Sequence, residues 1–518
     1  MAASIKWAVI ALLVLVALNA ADGSLQPEQP SLQDPGNATI IVNADDILTS
    51  IEAGRQVNLS GVTIAGDLDM SRLNGDVKTP LRIINSTFLR AANFGDVTFD
   101  GTVDLRDNSF MDDLNFNGVQ FLTDANFAGS KFYGDIDFRS ARFNGLASFM
   151  RSRFFGDVSF GYSQFVRAAT FSSAEFDGNV SFANAQFGDD VGFDGASFFN
   201  DATFDFVQVS RRLTFFSARF LGETSIANAV FVGAANFIGT SFEGNVSFTG
   251  TKFDSDAFFR SAEFRRTAVF GGVSFGGFSD FTSAKFESLA IFALAKFSDN
   301  AYFVGAAFDS DLILQSARIY SMQLDNATFG ADSSITLQDA DFSRLIIRWD
   351  KIRDHLVFDG AAYQALVKNY KSLEWFDDAD DCYFTYRMIE QDQEPWGWTK
   401  VADIIAWISC GYGVRVSYVS LCCLLTVMAF GLIYWAGNGM RRFELSGREV
   451  PGDEKGTNDF KTPLTDAMYF SVAMFTTSQA PYYNYPVGFY RHLAMLEGIL
   501  GWFFLGLFVV VLSGVLIR

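Results

Sequence analysis

The side chains that most often carry chemistry are scarce in this 518-residue chain. Two histidines, His355 and His492, are too few for a His-based metal site or a Ser-His-Asp arrangement. Four cysteines, two of them the adjacent Cys422 and Cys423 in an apolar run, rule out a disulfide scaffold. Asp377, Asp378, Asp380 and Asp381 crowd together, but their spacing lacks the calcium-loop pattern, and they read as a solvated charge run. His355 reads as a surface or packing residue. No enzyme and no cofactor is expected. The polar residues in an unusual setting are those of DAMYFSVAMFTTSQAPYYNYP, residues 466–486. This stretch is too short, and too polar at its end, to span a bilayer. It reads as a re-entrant half-helix followed by an extended strand, which lipid tolerates only where protein or water lines it.

Two apolar runs flank it. Residues 417–437 are uncharged and long enough to cross a membrane, and residues 493–517 carry one charge, Glu497, near their start. Ahead of them, Trp396, Trp398, Ile404, Ile405 and Trp407 mark an amphipathic helix lying on the bilayer. Residues 349–412 form a helical connector, with Tyr363, Leu366, Tyr370 and Leu373 as one stripe and a break near 375–379.

The larger part of the chain follows another rule. From Phe88, steps of eleven residues reach Ile319; from Phe94, the same steps reach Leu314. Of these 43 positions 38 are Phe, the others being Leu105, Val209, Ile226, Leu314 and Ile319, with no residue inserted or lost. The gaps alternate six and five. On a helix this spacing spreads the two series over different faces, and in a flat strand a gap of five reverses the face. A chain that turns corners between short strands keeps every Phe inside, which is a parallel solenoid with Phe stacked on Phe. FDGNVSFANAQ (176–186) and FEGNVSFTGTK (242–252) show the unit: Phe, a corner Gly, then an inward apolar residue two before the next Phe, as at Val158, Val180, Ala202 and Val246.

These units resemble the Phe-centred form of the pentapeptide-repeat family, over roughly residues 59–345. Weaker units centre on Ile64, Leu68 and Leu73, and on Leu324, Phe329 and Phe342. The resemblance implies a right-handed quadrilateral β-helix with about 22 residues per coil. Some family members mimic DNA. Here the apolar, lightly charged residues 1–23 read as a signal peptide or an uncleaved signal anchor, which puts the rod on the other side of the membrane from DNA. The net charge of −20 also argues against nucleic acid as a partner. Six Asn-x-Ser/Thr sites, at Asn37, Asn58, Asn85, Asn179, Asn245 and Asn326, fit an exposed, glycosylated domain.

The last 105 or so residues resemble the two-transmembrane potassium-channel pore family. Asp466, Ala467, Tyr469, Phe470 and Ser471 match its pore helix, and Phe475, Thr476 and Thr477 match the end of that helix. Ala494, Leu496, Glu497 and Gly501 match the opening of its second helix. Where the family has a Gly-Tyr-Gly filter, this chain has Ser478, Gln479, Ala480, Pro481 and Tyr482. Pro481 fixes φ and Ala480 disfavours positive φ, so an inward-facing carbonyl ladder, and with it potassium selectivity, is not expected. A non-selective cation pore and a non-conducting membrane anchor for a surface-binding rod both remain open.

The expected order is therefore a signal segment (1–23), a lead-in (24–40), a β-helix (41–348), a connector of a kind found in prokaryotic proteins (349–412) and a channel-like domain (413–518) with pore loop 466–486. The expected class is mainly β, followed by α-helical parts. Expected partners are membrane lipid, further copies of the chain (four, by the resemblance) and an extracellular ligand or surface partner of the rod. Arg441, Arg442, Arg448, Lys455 and Lys461 place the loop between the apolar runs in the cytoplasm and the rod outside. Since the family's filter ordinarily opens outward, either the pore is inverted or residues 1–23 are not an export signal.

Overall fold

The computed structural model describes residues 40–73, 75–442, 462–481 and 484–516. The expected signal segment, nearly all of the lead-in, most of the basic loop, Asn37 and Tyr482 lie outside these residues.

From Ile40 to Ile346 the chain is a parallel β-solenoid of about 14 turns. Most coils contribute four two-residue strands, such as Thr87–Phe88, Ala92–Asn93, Thr98–Phe99 and Val103–Asp104. Each strand pairs with the residue 22 positions on: Phe110 with Phe132, Ala125 with Ala147, Val158 with Val180. Two eleven-residue units thus make one coil. The register departs from 22 toward the ends, with Ile64 opposite Phe88 and Phe308 opposite Phe329. At the usual strand spacing the rod is roughly 60 Å long.

Every lattice Phe is buried, none more than 3% exposed. Successive coils stack the rings: Phe116, Phe138, Phe160 and Phe182 have centroids 4.6, 4.8 and 4.7 Å apart with planes within 6° of parallel. Neighbouring columns meet edge to face, as at Phe182–Phe193 (5.3 Å, 84°), which pairs ring edge with ring face. The expected inward sites Val158, Val180, Ala202 and Val246 are buried. A second inward column, two residues before the other Phe series, is occupied by small side chains such as Ala141, Ala174 and Ala185 and by polar Asn108, Ser130 and Ser152. The polar members are tied to backbone. Ser130 and Ser152 donate to the Leu105 and Phe127 carbonyls (2.8 Å each), and Asn108 donates to the Ile83 and Leu105 carbonyls and accepts from the Ser86 N–H.

The alternation of five and six is explained by the corners. In each five-residue gap the residue two after Phe has positive φ, at Asp96, Asp107, Ser140, Ser173, Asn184 and the equivalents. The N–H that follows it donates back to the Phe carbonyl, as Ala141 does to Phe138 (3.1 Å), closing a tight turn. The six-residue corners carry a different ladder. Asp113, Asp135 and Asp157 accept from the N–H of residues 135, 157 and 179 (2.8–2.9 Å), stitching coil to coil. Asn179 and Asn245 belong to this ladder and donate to Asp157 and Glu223, so these two glycosylation candidates already have structural roles.

Both ends are covered. Helix α1 (Ala44–Glu52) buries Ile47, Leu48 and Ile51 against the first coil. At the other end, α2 (Trp349–Ile352), α3 (Gly360–Ser372) and α4 (Phe376–Gln393) continue the same core through Trp349, Tyr363, Leu366 and Tyr370. Asn369 replaces a missing strand: its Oδ1 accepts from the Leu345 N–H (2.9 Å) and its Nδ2 donates to the Leu345 carbonyl (2.8 Å). Burial pushes the Tyr363 hydroxyl up to about 12 and raises the Cys382 thiol as well. The break between α3 and α4 falls where the stripe ends. The aspartate run departs from expectation. Asp377 is exposed, but Asp378 is buried, accepting from the Trp349 N–H and pairing with Arg348, while Asp381 pairs with Arg415. The backbone of the cap needs these partners, so the run is structural as well as solvated. His355 packs on Phe329, with Nδ1 3.0 Å from the Ser333 carbonyl.

Helix α5 (Trp398–Cys410) leads to α6 (Val416–Ala436). Trp396 and Trp398 are largely exposed. The joint is held by Arg387–Asp403 (2.8 Å) and Arg415–Asp381, with Arg415 over the Phe384 ring. Helices α7 (Leu464–Thr477) and α8 (Tyr490–Leu516) complete the described chain. Helices α6 and α8 are long and apolar enough to cross a membrane.

Candidate functional site in the C-terminal helices

Helix α7 has 14 residues, about 21 Å, and falls short of a hydrocarbon core of about 30 Å. It is wedged between α6 and α8 through close contacts at two glycines. A Cβ at Gly501 would lie 2.0 Å from the Phe475 carbonyl oxygen, and one at Gly431 would lie 2.3 Å from Met468 Sδ. Ala467, Phe470 and Phe475 fill the space between the helices. After Pro486 the chain turns into α8, and residues 484–486 pair antiparallel with 440–442.

The buried centre of the three helices is polar. Glu497 on α8, Ser471 on α7 and Tyr434 on α6 are each 0% exposed. Tyr434 Oη donates to Glu497 Oε2 (2.8 Å). Ser471 Oγ is hydrogen-bonded to Glu497 Oε1 and lies 2.8 Å from the Val427 carbonyl oxygen. Ser471 and Glu497, 26 residues apart, were both among the motif residues, and the fold brings them together. Tyr434 was missed. It lies 63 residues from Glu497, and an aromatic residue near the end of an apolar run ordinarily reads as an interface residue.

The remaining motif residues separate into two groups. Asp466 lies in the first turn of α7, where a carboxylate suits the helix dipole, about 15 Å along the axis from Thr476. Thr476, Thr477, Ser478, Gln479 and Ala480 gather at the other end and are exposed, with Pro481 half-buried. Thr476 and Thr477 donate to the Val472 and Ala473 carbonyls (2.7 Å), which leaves their oxygens able to accept. Ser478, at φ 53°, ends the helix. Beside this end lies an open groove of about 620 Å³, lined by Met474, Ser478, Ala480, Met495, Ile499 and Trp502. The last three are exposed apolar side chains on one face of α8.

A sequence profile described as pentapeptide repeats (9 copies) matches residues 116–164 and 215–263, both within the solenoid. No curated protein and no solved structure matches the chain. The chain thus carries Phe-centred pentapeptide repeats folded as a parallel β-solenoid, joined to helices of which two are long and apolar enough to cross a membrane.

Proposed function

We propose that this chain is an integral membrane protein whose C-terminal helices assemble with further copies into a cation pore, with the solenoid as its sensing or adhesion rod. The observation that carries this reading is the exposed polar run Thr476–Gln479 at the end of a half-helix held between two membrane-length helices. Lipid cannot satisfy such groups, so other copies of the chain and a water-filled axis must cover them. The run also sits at the negative end of the α7 dipole, which favours a cation there. Without a glycine ladder among residues 478–481, the pore does not select potassium over sodium. The same residues favour a second reading, a non-conducting anchor for a surface-binding rod, because Pro481 and Ala480 oppose a carbonyl-lined filter. Planar-bilayer recording of the purified protein separates the two. Similar potassium and sodium currents support the pore; silent bilayers that contain the protein support the anchor.

The apolar N-terminus and the basic loop support a rod on the extracytoplasmic side of the plasma membrane. In a background without native cysteines, Lys131→Cys then reacts with an impermeant thiol reagent on intact cells, and Ser446→Cys reacts only after lysis. The reverse pattern puts the rod in the cytoplasm.

A further inference from the structure

We propose that the rods of two copies pair side by side along one apolar stripe, the same stripe on each copy. The stripe is the column of residues that directly follow the Phe88 series. Over seven successive coils, six members are large and apolar: Leu89, Met111, Tyr133, Phe155, Phe199 and Leu221. The strands ahead of them pair row by row at 22 residues, so the side chains stand one above another in steps of about 4.8 Å, over about 30 Å in all. Leu89 and Phe199 are exposed, and the other four are half-buried. The seventh member, Asp177, is neutralised in place. It pairs with Arg153 (3.0 Å), whose guanidinium lies over the Phe155 ring, and that ring stacks on Tyr133 (4.6 Å). The next corner position is bare backbone at Gly134, Gly156, Gly178 and Gly222, so no side chain overhangs those rows.

The partner follows from the shape of the stripe. No other outward column between residues 87 and 320 has more than three large apolar residues in any seven coils, so the surface that matches this one in length and step is the same stripe on another copy. Such a contact is isologous, with each row facing its own twin across a two-fold axis. The membrane-length helices give every copy one orientation, and Arg387–Asp403 and Arg415–Asp381 hold the cap of the rod to them, so neighbouring rods leave the bilayer on the same side. Beyond Leu221 the column turns to Glu243, Arg265 and Glu287, with Arg265 paired to Glu243 (3.3 Å), which confines the contact to the half of the rod far from the membrane. Six partly exposed side chains offer on the order of 400 Å², about half of the ~800 Å² per partner that a stable free complex buries. The stripe therefore joins rods only where the helices have already gathered copies, and the proposal rests on the assembly proposed above.

The test crosslinks the full chain in lipid nanodiscs with a short bismaleimide, and the unsubstituted chain gives the background from its native cysteines. Phe199→Cys and Leu89→Cys are each expected to yield about ten times the crosslinked dimer of Gln186→Cys, an exposed position two faces further round the coil. Phe199→Glu sets like charges against each other across the axis. It is expected to reduce crosslinking at Leu221→Cys about tenfold, with the melting temperature and the number of copies per particle unchanged. Copies per particle are read from the same samples by native mass spectrometry. Several copies with equal crosslinking at Phe199→Cys and Gln186→Cys would overturn the stripe and leave the assembly standing. Undiminished crosslinking in the Phe199→Glu variant would also overturn the stripe. One copy per particle would overturn both.

Discussion

The solenoid and the C-terminal helices solve the burial problem in opposite ways. In the rod, each coil supplies what the next one lacks: a Phe ring to stack on, a strand to pair with, an aspartate to accept the corner N–H. Its two open ends are closed by α1 and by the Asn369 cap, so one chain completes the structure. In the helices, one chain completes only the centre. Glu497, Ser471 and Tyr434 are satisfied and buried, while Thr476–Gln479 and the Met495–Ile499–Trp502 face are exposed. Repetition along one axis closes the rod; on the proposed reading, other copies of the chain cover what the helices leave exposed.

If that contrast holds, damage to the rod should scale with burial alone. The largest effect is expected for Phe182→Ala. It removes a ring stacked on Phe160 and Phe204 and should cost about 3–5 kcal/mol, read by chemical or thermal unfolding. In the helices the sharpest change adds an atom. Gly501→Ala puts a methyl against the Phe475 carbonyl and should destabilise by about 1–3 kcal/mol while displacing the end of α7, seen as altered thiol labelling of Thr477→Cys.

At the joint, Asn369→Ala strands the Leu345 N–H and carbonyl and should lose about 1–3 kcal/mol, with faster amide exchange in the last coil. Asp280 offers a smaller, pH-dependent effect. Burial pulls its carboxyl upward, but Thr282 and Arg260 (2.6 Å) hold it below the usual carboxylate range. Its folded value lies below the unfolded value of about 3.9, so its stabilisation is present above that pH and is lost as pH falls through the folded value. Asp280→Asn should therefore lower the melting temperature at neutral pH, and the difference from wild type should shrink in acid. The smallest effect is expected for Asp177→Ser on the outer surface. It removes an ion pair with Arg153 and should cost under about 1 kcal/mol.

The rod was legible because its strongest signal, a large apolar side chain at fixed inward positions, recurs four times per coil. The eleven-residue period followed from the Phe positions, and the 22-residue coil followed from the family resemblance. The second inward column was not legible. Ala141, Ser152 and Asn108 share only small size or a local hydrogen bond, a weaker pattern than repeated Phe. Nor was the cap, because one Asn imitating a strand has no periodicity. In the helices, apolar length revealed α6 and α8, and the polar end of 466–486 revealed a short helix, seen as Leu464–Thr477. The partner Tyr434 is set by how α6 rotates against α8, and no local spacing encodes that rotation.

The most direct test of the contrast is the mass of the intact assembly. Native mass spectrometry of the full chain in lipid nanodiscs should give several copies per particle, four by resemblance to the channel family. Ile499→Cys should form crosslinks between chains across the exposed α8 face. A single copy per particle, with no such crosslinks, would contradict the account.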